Sequence, residues 1–442
     1  MENKYNILLL SHGITSSTGF GRVIKQIADA LKVDGHTIYS PALEYHGKSL
    51  HFETANALSG EDYSGINLLG YGAERFGEDI VPFYIQKYDI DIVITLGDIY
   101  AYQYLRQVPN YGKWRWLAYY ALDTNNLVGF WVDNIKHFDV PVVMSEFGQI
   151  LCDKHGIKVK HIPHAVDIDV FTPVKDSEEK MRIRQKFNLP PKAFVVGCVA
   201  HNQVRKMLDK TFDAFMIFAH SHTDAVLLLH TQPNGMRDGG WDLARMIETY
   251  GIADKVYFTN YNSKGVGDAI VGDADMRDLY CAMDVHLLLT GGEGFGIPFI
   301  ESMACGVPNV TSAYTTGPEI MNGTPVLDGK VPIMGEYGVC VPVDSFYTHP
   351  TGGKWAMANV EDAAKALSML YGDRALYQRM ANAARERMVE KYSTVENGAM
   401  WRDLVSSVAV SKDREWAPIM PFGAFTLPMM QKIREGGLSR DR

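Results

Sequence analysis

Short apolar runs alternate with longer stretches of helical spacing along most of the chain. Residues 5–11 form a run of the kind that fills a parallel sheet buried on both faces. A turn follows at 13–21 (G-I-T-S-S-T-G-F-G), and residues 22–31 then place Val23, Ile27 and Leu31 on one helical face. An apolar run restarts at 38–42, which predicts a βαβ unit, the building block of a doubly wound sheet. Further strands are predicted at 90–96, 116–121 and 140–144, with loops and short helices over the sheet edge at 44–77. A second alternation gives strands at 194–200, 225–230, 256–259, 285–290 and 309–311, separated by helical stretches at 210–220, 241–250, 276–283 and 299–305.

Between the two series, 163–191 carries Pro163, Pro173, Pro190 and Pro191 and reads as a linker. Residues 360–371 and 373–392 read as amphipathic helices. The apolar, Pro- and aromatic-rich stretch 416–427 is expected to pack back on the body. The predicted organisation is α/β: two Rossmann-like, doubly wound domains facing across a cleft. They occupy 1–165 and 191–405, with an interdomain linker at 166–190 and a C-terminal crossover segment and tail at 406–442.

Composition narrows the function classes. A chain of 442 residues outgrows one core, which stops growing near about 250–300 residues. With 43 Lys+Arg against 52 Asp+Glu the formal charge is −9, so no basic field draws the chain to nucleic acid or anionic lipid. Cys152, Cys198, Cys281, Cys305 and Cys340 are scattered without metal-ligand spacing and read as reduced, buried thiols. The apolar run after Asn6 is too short for a signal peptide or a span, so a soluble, cytoplasmic protein with no transmembrane segment is expected.

The densest chemical signal is 289–309, L-T-G-G-E-G-F-G-I-P-F-I-E-S-M-A-C-G-V-P-N. A strand ends at Thr290, glycines let the backbone approach a ligand, and a helix starts near Ile297 with Pro298 in its first turn. Its N-terminus offers free N–H groups to an anion. Glu293 and Glu301 are placed to line one cleft edge, where a carboxylate accepts from vicinal sugar hydroxyls. The alternative for these residues is a strand–loop–helix with two solvated glutamates.

Residues 293–301, E-G-F-G-I-P-F-I-E, resemble the E-x7-E motif of family 4 retaining glycosyltransferases (glycosyl transferases group 1). Gly19, Phe20 and Gly21 resemble that family's N-terminal glycine loop. Residues 162–173 (I-P-H-A-V-D-I-D-V-F-T-P) resemble its P-x-G-V-D segment with Ala165 for glycine, and D-L-Y-C-A-M-D at 278–284 also fits. The resemblance implies the GT-B fold, with the donor nucleotide on the second domain and a C-terminal helix crossing back to the first. It implies that Glu301 binds ribose hydroxyls, Glu293 the donor sugar, and the amides of Gly294, Phe295, Gly296 and Ile297 the diphosphate. The family's basic pair aligns with His201 and Lys206. Arg205 stands beside Lys206, and these two cations are expected to neutralise the leaving diphosphate. Asp123 occupies the place of a first-domain sugar-contacting His; it either bonds sugar or acceptor hydroxyls or caps the next helix. His12, Ser16 and Thr18 are acceptor-side candidates, and aromatics in 44–77 and 113–126 are candidates for stacking on sugar rings or bases.

The implied activity is a retaining hexosyltransferase taking a nucleotide-diphosphate sugar, UDP-hexose ahead of GDP-mannose on family frequency. The expected acceptor is a hydroxyl on a glycan, lipid-linked sugar or small molecule. No cofactor and no metal is expected. The D-x-D spacings at Asp89/Asp91 and Asp273/Asp275 begin a strand and sit in a loop, and the paired histidines His161/His164 and His220/His222 lack a third ligand. His286 reads as a core histidine, and Arg374, Arg379, Arg385, Arg387 and Lys391 as a solvated helix face. Alternatives are a catalytically silent nucleotide-sugar-binding subunit and a transferase acting on hydroxylated bases in DNA, which the acidic first domain disfavours.

Overall fold

The computed structural model describes residues 4–411 except 12, 17, 42–62, 71, 109, 237–238, 260–271, 328–333 and 350–351. The first domain comprises β1 (Asn6–Leu10), α1 (Gly19–Lys32), β2 (Thr37–Pro41), β3 (Ile66–Leu69), α2 (Val81–Lys87), β4 (Ile92–Gly97), β5 (Arg115–Tyr120), α3 (Gly129–Ile135), β6 (Val140–Val143), α4 (Glu146–Lys154) and β7 (Lys160–His161). Its strands form one parallel sheet in the order β3-β2-β1-β4-β5-β6-β7.

The chain continues through α5 (Ser177–Lys186) into β8 (Phe194–Val199), α6 (Leu208–Ser221), β9 (Ala225–His230), α7 (Leu243–Tyr250), β10 (Val256–Phe258), α8 (Asp273–Ala282), β11 (Val285–Leu288), α9 (Ile297–Ala304), β12 (Asn309–Ser312), α10 (Gly317–Asn322) and β13 (Val339–Val341). These strands are also parallel, in the order β10-β9-β8-β11-β12-β13. An antiparallel hairpin, β14 (Val343–Thr348) and β15 (Lys354–Ala358), precedes α11 (Val360–Gly372), α12 (Arg374–Lys391) and α13 (Thr394–Ser407).

Both sheets reverse strand order beside their first strand, between β1 and β4 and between β8 and β11. Open α/β sheets bind ligands at such switch points, off the C-terminal ends of the strands. The expected pair of doubly wound domains is present.

Several local expectations need correction. The G-F-G of the glycine loop is the first turn of α1. Thr18 caps it by accepting the Gly21 N–H at 3.1 Å, and a Cβ at Gly21 would lie 2.3 Å from the Ser16 carbonyl oxygen. The linker contains α5, capped by Asp176 and fastened by Arg184 and Lys180 to the buried Asp284 at 2.5 and 2.8 Å. Within 44–77 the chain forms the edge strand β3, while 44–62 and 71 lie outside the described residues, as does His12.

The aromatics offered for stacking at 113–126 are core. Trp114, Trp116, Tyr119 and Tyr120 are at most 2% exposed. Arg385 is no solvated residue either: its guanidinium donates to the carbonyls of Ile168, Phe171 and Ala304, pinning the linker to α9.

The return to the first domain is made by α13. Trp401 is fully buried with its ring 5.1 Å from Tyr119, Gly398 lets α13 approach Ala30 of α1, and Asn397 donates to the Pro163 carbonyl. Residues 412–442, including the apolar tail at 416–427, lie outside the described residues. All five cysteines are buried and free of disulfides.

Candidate active site between the domains

The loop from β11 to α9 carries both motif glutamates. Gly296 precedes α9 with φ +105°, a left-handed geometry that suits glycine, and no side chain caps the helix, leaving its first amides without a side-chain partner. Thr315 accepts the Glu293 N–H at 3.0 Å and Thr316 donates to the Phe295 carbonyl at 2.7 Å, so the start of α10 fixes the loop.

Glu293 is 6% exposed and meets two cations, Lys206 Nζ at 2.6 Å from Oε1 and Arg205 Nη1 at 3.2 Å from Oε2. Burial alone would push this carboxyl up, but the two cations outweigh it and hold it down at about 2. Arg205 also donates to the Gly292 carbonyl, and its Nε lies 3.2 Å from Asp123 Oδ2. These cations sit in a short 3-10 turn, Val204–Lys206, which ends at Met207 in a left-handed conformation (φ +44°). Strain of this kind persists only where surroundings over-determine it, and here it opens α6 directly beside the charged cluster.

The structure therefore brings Glu293, Arg205, Lys206 and Asp123 into one interdomain cluster. Arg205 and Lys206, the cations expected to neutralise a leaving diphosphate, both face carboxylates in this structure. His201 is exposed just after β8.

The glycines of this loop serve the domain interface as well. A Cβ at Gly292 would meet the Asp123 carbonyl oxygen at 2.1 Å, and one at Gly294 would meet Ala121 Cβ at 2.4 Å. The space held open for a ligand is thus partly filled by the loop that follows β5. Gly294→Ala is expected to cost about 1–3 kcal/mol by overpacking backbone-anchored atoms. Gly129→Ala, where an added Cβ meets nothing within 4 Å, should change stability little. Thermal unfolding of the two variants side by side checks this.

Glu301 lies in the second turn of α9, 3% exposed. Tyr280 donates to its Oε2 at 2.7 Å, and Arg22 of the first domain reaches across to its Oε1 at 2.6 Å. Sequence reading gave Arg22 no role, because its partners are far away in the chain and only the domain arrangement joins them. Of the two D-x-D pairs, Asp91 accepts the Asn6 N–H, Asp273 pairs with Arg22 and Asp275 with Lys186. Among the described residues no group of three His, Cys, Asp or Glu is placed to hold a metal ion, and no helix is long and apolar enough to cross a membrane.

Two facing Rossmann-like sheets, a C-terminal helix crossing back and a charged loop between them define a GT-B protein, the class the sequence resemblance implied. Residues 179–324 match the family described as Glycosyl transferases group 1. The chain is 31% identical over 172 residues to the mannosylfructose-phosphate synthase of Agrobacterium fabrum, covering 37% of this chain and 35% of that protein. It is 30% identical over 177 residues to a GDP-mannose-dependent α-(1-6)-phosphatidylinositol monomannoside mannosyltransferase of Mycolicibacterium smegmatis, covering 39% and 41%. The match thus spans well under half the length of these relatives. Over the whole fold, the sucrose-phosphate synthase from Thermosynechococcus elongatus superposes with a TM-score of 0.69 at 18% identity, covering 92% of this chain and 100% of that one. Anabaena Alr3699/HepE in complex with UDP-glucose gives 0.67 at 15% identity, covering 91% and 100%.

Proposed function

We propose that this protein transfers a hexose from a nucleotide-diphosphate sugar to a hydroxyl acceptor with retention of anomeric configuration. The observation that carries the proposal is the buried cluster of Lys206 and Arg205 on Glu293, beside the side-chain-uncapped N-terminus of α9. In this reading the donor diphosphate takes the helix amides and shares the two cations, and Glu293 turns to the sugar. As the bond from the anomeric carbon to the phosphate oxygen breaks, the charge left on the diphosphate is met by cations already in place, which act without reorganising. The acceptor hydroxyl enters on the same face near Asp123, forms the new C–O bond and passes its proton to a phosphate oxygen of the leaving group. The protein supplies orientation and charge, and the fixed cations do the work a metal does elsewhere.

UDP-hexoses stand first as donors, and several relatives described as GDP-mannose-dependent put GDP-mannose beside them. The test is nucleotide release from UDP-, GDP- and ADP-sugars, with wild type beside Glu293→Ala and Glu301→Ala. Slow release from one donor, lost in both variants and unchanged by EDTA, is expected. Tight nucleotide binding without release, even with mixed acceptors, would make the protein a silent binding subunit. Absence of binding would remove the site.

A further inference from the structure

Glu301 is an unusual place to bind a sugar diol, because it is buried and already engaged. Burial pushes its carboxyl up; Arg22 and Tyr280 work against that without fully cancelling it. Each carboxylate oxygen carries two lone pairs, and Arg22 and Tyr280 take one on each. One lone pair per oxygen is left, on two atoms of a carboxylate held at both ends. A vicinal diol needs two such acceptors.

Arg22 is itself tightly placed. It belongs to the first turn of α1, which Thr18 caps, and its other Nη lies 3.0 Å from Asp273 Oδ1. Its Nε is buried and has no hydrogen-bond partner among the described residues, so the guanidinium retains a donor. A Cβ on the neighbouring Gly19 would stand 3.2 Å from Ile297 Cδ1 at the start of α9, and α13 packs along the other flank of α1. Arg22 therefore travels with the first domain, while Glu301, Tyr280 and Asp273 travel with the second.

We infer that Arg22 is a positioning residue for nucleotide recognition: from the first domain it holds the Glu301 carboxylate charged and aimed at the ribose diol, so ribose is read fully only when the domains are closed. This rests on the reading of Glu301 as the ribose contact. It makes the donor site a property of both domains, with the second domain supplying the acceptor oxygens and the first supplying the charge that keeps them acceptors. An open cleft then leaves Glu301 without its cation, and a nucleotide held there loses its hydroxyl-dependent contact first.

The experiment is calorimetric titration of UDP, GDP and their 2′-deoxy counterparts into the full-length wild type, Arg22→Gln, Arg22→Lys and Glu301→Gln. Wild type should prefer the ribonucleotide by about tenfold, the worth of one hydrogen bond to a charged group. Arg22→Gln should reduce that preference below about twofold, and Arg22→Lys, which keeps the charge, should restore part of it. Loss of affinity equal for both nucleotides in Arg22→Gln would mark a packing role and overturn the inference, as would an undiminished preference. If wild type shows no ribose preference, or Glu301→Gln keeps it, the ribose reading of Glu301 itself falls. The double variant Arg22→Gln/Glu301→Gln, which buries no unpaired charge, serves should Arg22→Gln fold poorly; retained ribose preference in it again removes the Glu301 reading.

Discussion

Replacing Lys206 with alanine is expected to lower donor turnover by about two to three orders of magnitude, the usual cost of removing a fixed group that stabilises transition-state charge. The same change should also destabilise the fold. Glu293 is ionised far below neutral pH and 6% exposed, and losing the cation 2.6 Å away leaves a buried anion supported by Arg205 alone. Breaking a buried pair from one side costs about 3–5 kcal/mol, and Arg205 should bring the loss to the lower part of that range. The two effects separate in the double variant Lys206→Met/Glu293→Gln, which carries no unpaired charge. Stability should return toward wild type, because apolar replacement of a buried ion pair is often neutral. Turnover should not return, because the diphosphate has lost its cation and the sugar its carboxylate. Single-turnover nucleotide release and thermal unfolding on the three proteins measure this. Recovery of turnover together with stability would make the Lys206–Glu293 pair structural and remove both from the reaction.

What the sequence made legible was whatever rests on local pattern. The strands at the two switch points, β1, β4, β8 and β11, are buried nearly throughout and read as bare apolar runs. The glutamate motif placed α9 within a residue, since Pro298 and the glycines are local signals. The helix α5 was missed because its residues are almost all polar, although Asp176 followed three residues later by Glu179 is a capping signature that marks its start. The first turn of α1 was missed because glycine is a poor helix former, and only the Thr18 cap argues otherwise. The buried tryptophans of 113–126 looked like a stacking surface because aromatic composition says nothing about which side of a sheet is covered. Arg22 lay beyond reach for another reason. Its partners Asp273 and Glu301 join it only through the packing of two domains.

Acid should unfold this protein steeply between pH 6.5 and about 4.5, and the cause is buried histidine. His286 is fully buried, with Nδ1 2.6 Å from Asn309 Oδ1 and Nε2 3.2 Å from the Val199 amide. The Asn oxygen only accepts, so Nδ1 carries the proton and Nε2 must accept from the backbone; a second proton would set one N–H against another. Burial accordingly pulls His286 down to about 4, and it pulls His164 to about 3 and His230 to about 4. Below pH 6.5 the unfolded chain takes up protons on these histidines that the native protein refuses, so stability falls as pH falls. Glu319 works the other way. Its carboxylate accepts the Glu146 and Phe147 amides at the N-terminus of α4, and burial raises it to about 7, so the native protein binds one proton that the unfolded chain does not. His161 is lowered like the other histidines and the buried carboxyls of Asp123 and Glu301 are raised like Glu319, and each net proton held by the unfolded chain adds a slope of about 1.4 kcal/mol per pH unit. The carboxyl of Glu293, held near 2, adds its own loss only below about pH 4.5. His286→Leu should lower stability at neutral pH by about 1–3 kcal/mol, because the Val199 amide loses its acceptor, yet it should reduce the acid slope by about 1.4 kcal/mol per pH unit, the share of one proton. Urea unfolding free energies at half-unit steps from pH 7 to 4.5 give both numbers. A slope unchanged by the substitution would exclude His286 as a source of the acid lability.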